Sequence, residues 1–257
     1  MSTQREMELG RRTYDELIHS VQRAVLEPND AHSLRARRVV TRLARACKGL
    51  DAELSKGFKW SVAVCEDDMP NAVCVPGGRM LVTTGLLRLC SCDEEVAMVL
   101  SHEIAHAINR HSAEKMQVQM LMLPLVVVLS AVLSSHMMSA SVSKLLLELP
   151  YGRKLEREAD AVGLIVMTEA CYDPRKGPVV FDKLAAVTRE EEGGWISKRV
   201  KSMVSTHPMS KERAWQLRQQ AAALALRFDE RCVGAQTKAL SIHDAGARCA
   251  SPRGGTA

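Results

Sequence analysis

The chain has 257 residues, 46% of them hydrophobic and 25% charged, which is ordinary for a globular protein and enough for one domain with its own core. The net charge of +5 is mild and the basic residues are spread along the chain, so nothing points to a nucleic-acid partner, and an anionic membrane surface is only weakly favoured. Eight cysteines without a CxxC pair exclude a zinc ribbon; in a chain of this size they read as free buried thiols in a reducing compartment.

The amino-terminal segment carries Glu6, Glu8, Asp15 and Glu16, which suits neither a secretory signal nor a mitochondrial transit peptide, so targeting is expected to be internal or to precede this sequence. Apolar spacing predicts helices over 5–26 and 31–49, separated by the breaker Pro28-Asn29-Asp30. The period then shortens. Residues 59–67, 71–75 and 78–84 read as three short strands, taken as antiparallel, with a turn at Pro76-Gly77-Gly78. Ser91 and Glu94 look like a capping box opening a helix over about 92–112. Further helices are expected over 144–171, over 174–190 with Asp173 as cap and Pro174 in the first turn, and over 210–228. From residue 233 to 257 no apolar period remains, and a flexible tail is expected. The pattern is α+β: one helix-rich domain over 1–232 with a small, mainly antiparallel sheet.

The predicted helix over 92–112 contains His102-Glu103-Ile104-Ala105-His106. Residues four apart on a helix lie about 40° from each other, so His102 and His106 project from one face and can meet a single zinc ion. Glu103, about 100° round, reaches beside the metal, where it can take a proton from bound water. A hydrolytic zinc needs a third protein ligand. His111 is five residues on from His106, about 140° round, and so is expected to point elsewhere. A metzincin pattern fails, because its glycine and histidine positions hold Asn109 and Ser112. Residues 153–163 supply the remote carboxylate: Glu156 and Asp160 share a helix face among apolar Leu155, Ala159, Val162 and Gly163. Glu156 can ligate, and Asp160 can receive the free ring N–H of a zinc histidine.

Four segments, 71–87, 102–106, 150–164 and 205–217, together resemble the gluzincin metallopeptidases that include the CAAX-prenyl endopeptidases and the mitochondrial inner-membrane Oma-type peptidases. The resemblance implies one zinc ion held by His102, His106 and Glu156, with Glu103 as base and Asp160 behind the ligands. It also implies that Asn71 and Ala72 lie on an edge strand pairing with extended polypeptide substrates, and that His207 and Arg213 approach the site. A histidine there could donate to the oxyanion or cover the zinc at rest, while Arg213 would anchor the surroundings of His207.

Residues 116–143 carry no Asp, Glu, Lys or Arg. A single membrane crossing would separate the two histidines from Glu156. A full hairpin of two 14-residue halves reaches only about 21 Å each, against a hydrocarbon core of about 30 Å. A shallow or re-entrant apolar pair beside the cleft is therefore expected. Together these features imply a zinc endopeptidase acting on membrane or membrane-associated proteins at the mitochondrial inner membrane, with room for self-association into a homo-oligomer. The rivals are a non-catalytic zinc-containing membrane scaffold and a bacterial-envelope protease of the same family.

Overall fold

The computed structural model describes residues 2–53, 55–118, 120–121, 150–191, 207 and 209–234. The greater part of the apolar stretch 116–143, the beginning of the 144–171 segment and nearly all of the expected tail lie outside them. Helix α1 spans Thr3–Val21 and α2 spans Ala31–Leu50, the latter capped by Asp30, whose side chain accepts from the His32 N–H at 2.8 Å. Strands β1 (Ser61–Cys65), β2 (Ala72–Val75) and β3 (Arg79–Thr83) follow, and then the short helix α3 (Thr84–Leu89). Helix α4 (Asp93–Ile108), α5 (Pro150–Glu169), α6 (Val179–Glu191) and α7 (Lys211–Phe228) complete the core, with a π turn at Asp229–Val233. No helix among the described residues is long and apolar enough to cross a membrane.

The strands form one sheet in the order β1-β3-β2, and it is mixed. β2 and β3 pair antiparallel through the Pro76-Gly77-Gly78 turn, where both glycines adopt positive φ (94° and 84°), but β1 pairs parallel to β3. Alternation within a strand says which face is buried and nothing about which strand lies alongside. The expectation of antiparallel neighbours throughout therefore missed the insertion of β3 between the other two. The central strand is the most buried, with Met80 and Val82 fully enclosed. One edge is closed: Leu26 N–H donates to the Val64 carbonyl at 2.8 Å and Glu66 N–H to the Ala24 carbonyl at 2.7 Å, so the segment after α1 covers β1. The other edge, β2, faces α4.

Helix α4 is enclosed around its whole circumference; every residue from Glu95 to Ile108 is buried. A helix that is apolar all round belongs at the centre of a domain, and this one carries its polar residues into the same place. Its start differs from the expected capping box: Cys92 is the cap residue without a side-chain bond, and Glu95 accepts from the Ser91 N–H at 2.9 Å. Its end is also earlier than expected, at Ile108, followed by Arg110 in the left-handed region (φ 59°) and a new helical stretch over 111–118. The segment expected as a helix from 174 forms turns up to 178 instead. Pro178 lacks the N–H that would continue a helix across it, and Asp173 accepts the Arg175 N–H at 3.0 Å in a local turn.

A second difference concerns the cysteines. Cys171 and Cys232, 61 positions apart, are joined by a disulfide with Cα atoms 5.6 Å apart, so these two are not free thiols. Cys171 lies just past the end of α5 and Cys232 in the π turn after α7; Arg227 and Arg231 both pair with Glu169 beside them. Spacing along the chain carries no signal for a pair made by the docking of two helices. Cys47, Cys65, Cys74, Cys90 and Cys92 are free.

Helices α4 and α5 touch most closely at Gly163. A Cβ there would stand 3.0 Å from the His102 backbone nitrogen and 3.1 Å from its Cα. Substituting Gly163→Ala should push the two backbones apart and destabilise the protein by about 1–3 kcal/mol. Chemical denaturation of wild type and variant measures this, and an unchanged midpoint would contradict the close approach.

Candidate active site

The buried polar residues of α4 find their partners on α5 and α7. His102 Nε2 and His106 Nε2 stand 3.1 Å apart, one helical turn separating their parent residues. Glu156 of α5 lies opposite: its Oε2 is 3.4 Å from His102 Nε2 and its Oε1 3.4 Å from His106 Nε2. His207 completes the group, its Nδ1 3.3 Å from His102 Nε2 and 2.9 Å from Glu156 Oε2. One ligand atom from each of these four residues falls within 4.8 Å of all the others.

The donor set fits zinc. Ligand atoms about 2.0–2.2 Å from a tetrahedral ion stand about 3.3–3.6 Å from one another, and the separations of 2.9–3.4 Å given above lie at or a little below that spacing. Glu156 Oε1 and Glu103 Oε1 are buried without a hydrogen-bond partner, a condition that native proteins seldom leave uncompensated. Three buried carboxylates (Glu103, Glu156 and Asp160) and one buried guanidinium (Arg213) leave an excess of two negative charges, which a divalent cation would balance.

Asp160 stands behind the cluster, with its Oδ1 3.0 Å from His102 Nδ1, the nitrogen turned away from the other ligands. Arg213 holds it through Nη2, 2.9 Å from Oδ1, and through Nε to Oδ2. The same guanidinium places Nη1 3.1 Å from Glu156 Oε2. Arg213 therefore fixes two carboxylates, where the sequence had suggested that it anchors the surroundings of His207. Burial opposes charge on Glu156 and on Asp160, but the histidines around the first and Arg213 with His102 around the second outweigh it and hold both well ionised. Burial likewise disfavours charge on His102, yet Asp160 and Glu156 raise its pKa to about 9; His106, where burial dominates, is driven well below the usual histidine range. A bound cation would compete with protons for the nitrogens of these imidazoles.

Glu103 points from the same helix toward the β2 edge, its Oε2 accepting the Cys74 N–H at 3.3 Å and its Oε1 3.4 Å from His207 Nε2. In an antiparallel pair, alternate residues turn their backbone groups toward the neighbour and away from it. Asn71 turns inward: its N–H donates to Thr83 Oγ1 at 2.9 Å and its carbonyl accepts the Thr83 N–H at 3.0 Å. Ala72 and Cys74 then face outward, toward the zinc helix. Of the two expected substrate-strand residues, Ala72 presents its backbone and Asn71 has committed its own to β3.

Two neighbours of the site were not anticipated. His111, expected to point elsewhere, is buried with its Nδ1 2.8 Å from His106 Nδ1. Lys115 Nζ lies 3.6 Å from Glu156 Oε1. Both follow the kink at Asn109-Arg110, and a straight-helix projection cannot place residues beyond a kink.

A model of peptidase family M48 matches residues 32–221. The chain is 30% identical over 213 residues to the mitochondrial metalloendopeptidase OMA1 of Saccharomyces cerevisiae, covering 81% of this chain and 61% of that protein. It is 37% identical over 159 residues to the OMA1 metalloendopeptidase of Arabidopsis thaliana, covering 62% of this chain and 31% of that one. With the beta-barrel assembly-enhancing protease of Yersinia pestis it shares 32% identity over 166 residues, 60% of this chain and 33% of that protein. The chain thus spans between 31% and 61% of the length of these relatives.

Replacing Glu156 by Ala should abolish stoichiometric zinc binding, because it removes a ligand and leaves the buried Arg213 without one of its carboxylates. Replacing Asp160 by Ala should weaken zinc binding about 10–100-fold, as expected for loss of the group behind a ligand. Metal analysis and chelator competition on the purified variants measure both, and full zinc occupancy in Glu156→Ala would contradict the ligand assignment.

Proposed function

The chain belongs to peptidase family M48, whose metalloproteases use zinc, and on that premise we propose that it is a zinc-dependent endopeptidase that cleaves extended polypeptides lying along β2. The observation that carries this reading is the convergence of His102, His106 and Glu156 with Glu103 beside them, next to the strand β2, whose outer edge pairs with no other strand among the described residues.

When bound, zinc would polarise the scissile carbonyl and lower the pKa of a coordinated water toward 7. The protein's part follows from its own geometry. Ala72 offers outward backbone groups to an extended chain, so that main-chain hydrogen bonds give affinity without demanding one sequence. Glu103, with one oxygen held by Cys74 N–H and the other unpartnered, takes the proton from the attacking water and returns it to the leaving amine. His207 occupies the fourth corner of the ligand set. It covers the site at rest and turns aside for substrate; from there its ring can donate to the developing oxyanion. Arg213 keeps Asp160 ionised and holds both Asp160 and Glu156 in place.

The relatives' names support a mitochondrial protease. Action at the inner membrane on membrane proteins is supported by the Oma-type resemblance and by the absence of charged side chains from residues 116–143. Fractionation of tagged protein tests this; recovery wholly in a soluble fraction would remove the membrane role while leaving the peptidase intact.

Glu103→Gln should retain one zinc per chain and lose cleavage of a casein-like substrate by about 10²–10⁴-fold. Unchanged cleavage would transfer the base role elsewhere, and loss of cleavage in the presence of zinc separates the enzyme from a non-catalytic scaffold. His207→Ala should keep zinc and lower kcat about 10²-fold with a smaller effect on KM. An undiminished kcat would leave His207 with no part in the chemical step.

A further inference from the structure

We propose that His111 is a positioning residue for the zinc ligand His106: its ring accepts the hydrogen bond that fixes which nitrogen of His106 faces the metal. The proposal rests on the reading of His102, His106 and Glu156 as zinc ligands.

His106 turns Nε2 toward His102 and Glu156, at 3.1 and 3.4 Å. A nitrogen that ligates must be unprotonated, so the proton of the neutral ring resides on Nδ1, which then requires an acceptor. That nitrogen lies 2.8 Å from His111 Nδ1, with the two rings edge to face at 4.8 Å between centroids. Two nitrogens at this separation share one proton. Since His106 supplies it, His111 must accept through Nδ1 and carry its own proton on Nε2. His111 Nε2 is buried without a hydrogen-bond partner, and the Glu158 carboxylate 3.8 Å away favours a proton there. His111 is 1% exposed, which leaves little room for water to take its place. Each zinc histidine thus has a dedicated partner at its far nitrogen: a carboxylate held by Arg213 for His102, and a neutral imidazole for His106.

The backbone is shaped to bring this ring back. On a straight helix His111 would stand about 140° from His106. The chain instead leaves α4 at Ile108 and passes through Arg110 at φ 59°, a conformation that residues other than glycine seldom adopt. Arg110 is tied there by Nε donating to Glu6 Oε2 at 2.6 Å, and Glu6 is itself buried on α1. The helix restarts at 111 with its axis redirected, and the imidazole lands on His106. An ordinary core histidine would satisfy itself anywhere; this one meets the nitrogen of His106 that metal binding leaves needing an acceptor.

The test compares the full chain with His111→Phe, which fills the space without accepting, and His111→Asn, whose side-chain oxygen can stand near the Nδ1 position. Three quantities are measured: zinc affinity by chelator competition, the visible spectrum of the cobalt-loaded protein, and thermal unfolding without metal. His111→Phe is expected to weaken zinc binding about 10–100-fold and to shift the cobalt bands, while His111→Asn recovers most of the affinity and the wild-type spectrum. Zinc binding by the Phe variant as tight as wild type would overturn the proposal. So would an Asn variant as weak as Phe with both metal-free proteins losing stability alike, since that is the signature of packing. A wild-type chain that takes up no zinc would overturn the ligand assignment together with the proposal, whereas a wild type that binds zinc with an unaffected Phe variant removes the role of His111 alone.

Discussion

Everything at the site depends on how closely α5 lies against α4. Glycine at 163 lets the α5 backbone come within contact distance of the His102 backbone, and only at that separation can Glu156 reach both histidines of the neighbouring helix. Fully burying three carboxylates, an arginine and a group of imidazoles is unfavourable unless each charge meets its complement. Arg213 supplies one complement and a divalent cation the other, so the packing of the helices and the charge balance of the site are one constraint.

The sheet serves the same arrangement from the opposite side. Its β1 edge is closed by the segment after α1, and its β2 edge is left beside α4, where Cys74 N–H donates to the Glu103 carboxylate. An edge that is unpaired, as this one is among the described residues, is usually a liability; here it lies where a polypeptide would have to be presented to Glu103. The remaining elements brace this geometry: α1 reaches the end of α4 through Glu6 and Arg110, α7 delivers Arg213, and the Cys171–Cys232 disulfide ties the end of α7 to the end of α5.

Local patterns were readable mostly where one element alone decided the outcome. The i, i+4 spacing of His102 and His106 and the shared face of Glu156 and Asp160 each depend on a single helix and its 100° per residue. Reading failed locally at the cap and the end of α4 and at the start of α6, and more widely where two elements had to be known together. The neighbour of β1 depends on where the hairpin folds, the partner of Cys171 on where α7 docks, and the orientation of His111 on a left-handed residue that Glu6 stabilises from another helix.

The amino-acid sequence by itself determined the chemistry on offer: a two-histidine helix with an internal base, a distant carboxylate pair on a buried stripe, and a histidine and arginine downstream. Only the tertiary structure decided that these converge, that Arg213 grips both carboxylates, that His207 stands at the fourth corner and that His111 backs His106. The physical reason is range. Helical periodicity fixes directions about one axis within a few residues, whereas the distance between groups on different helices is set by side-chain packing, and a single glycine at the crossing governs it here.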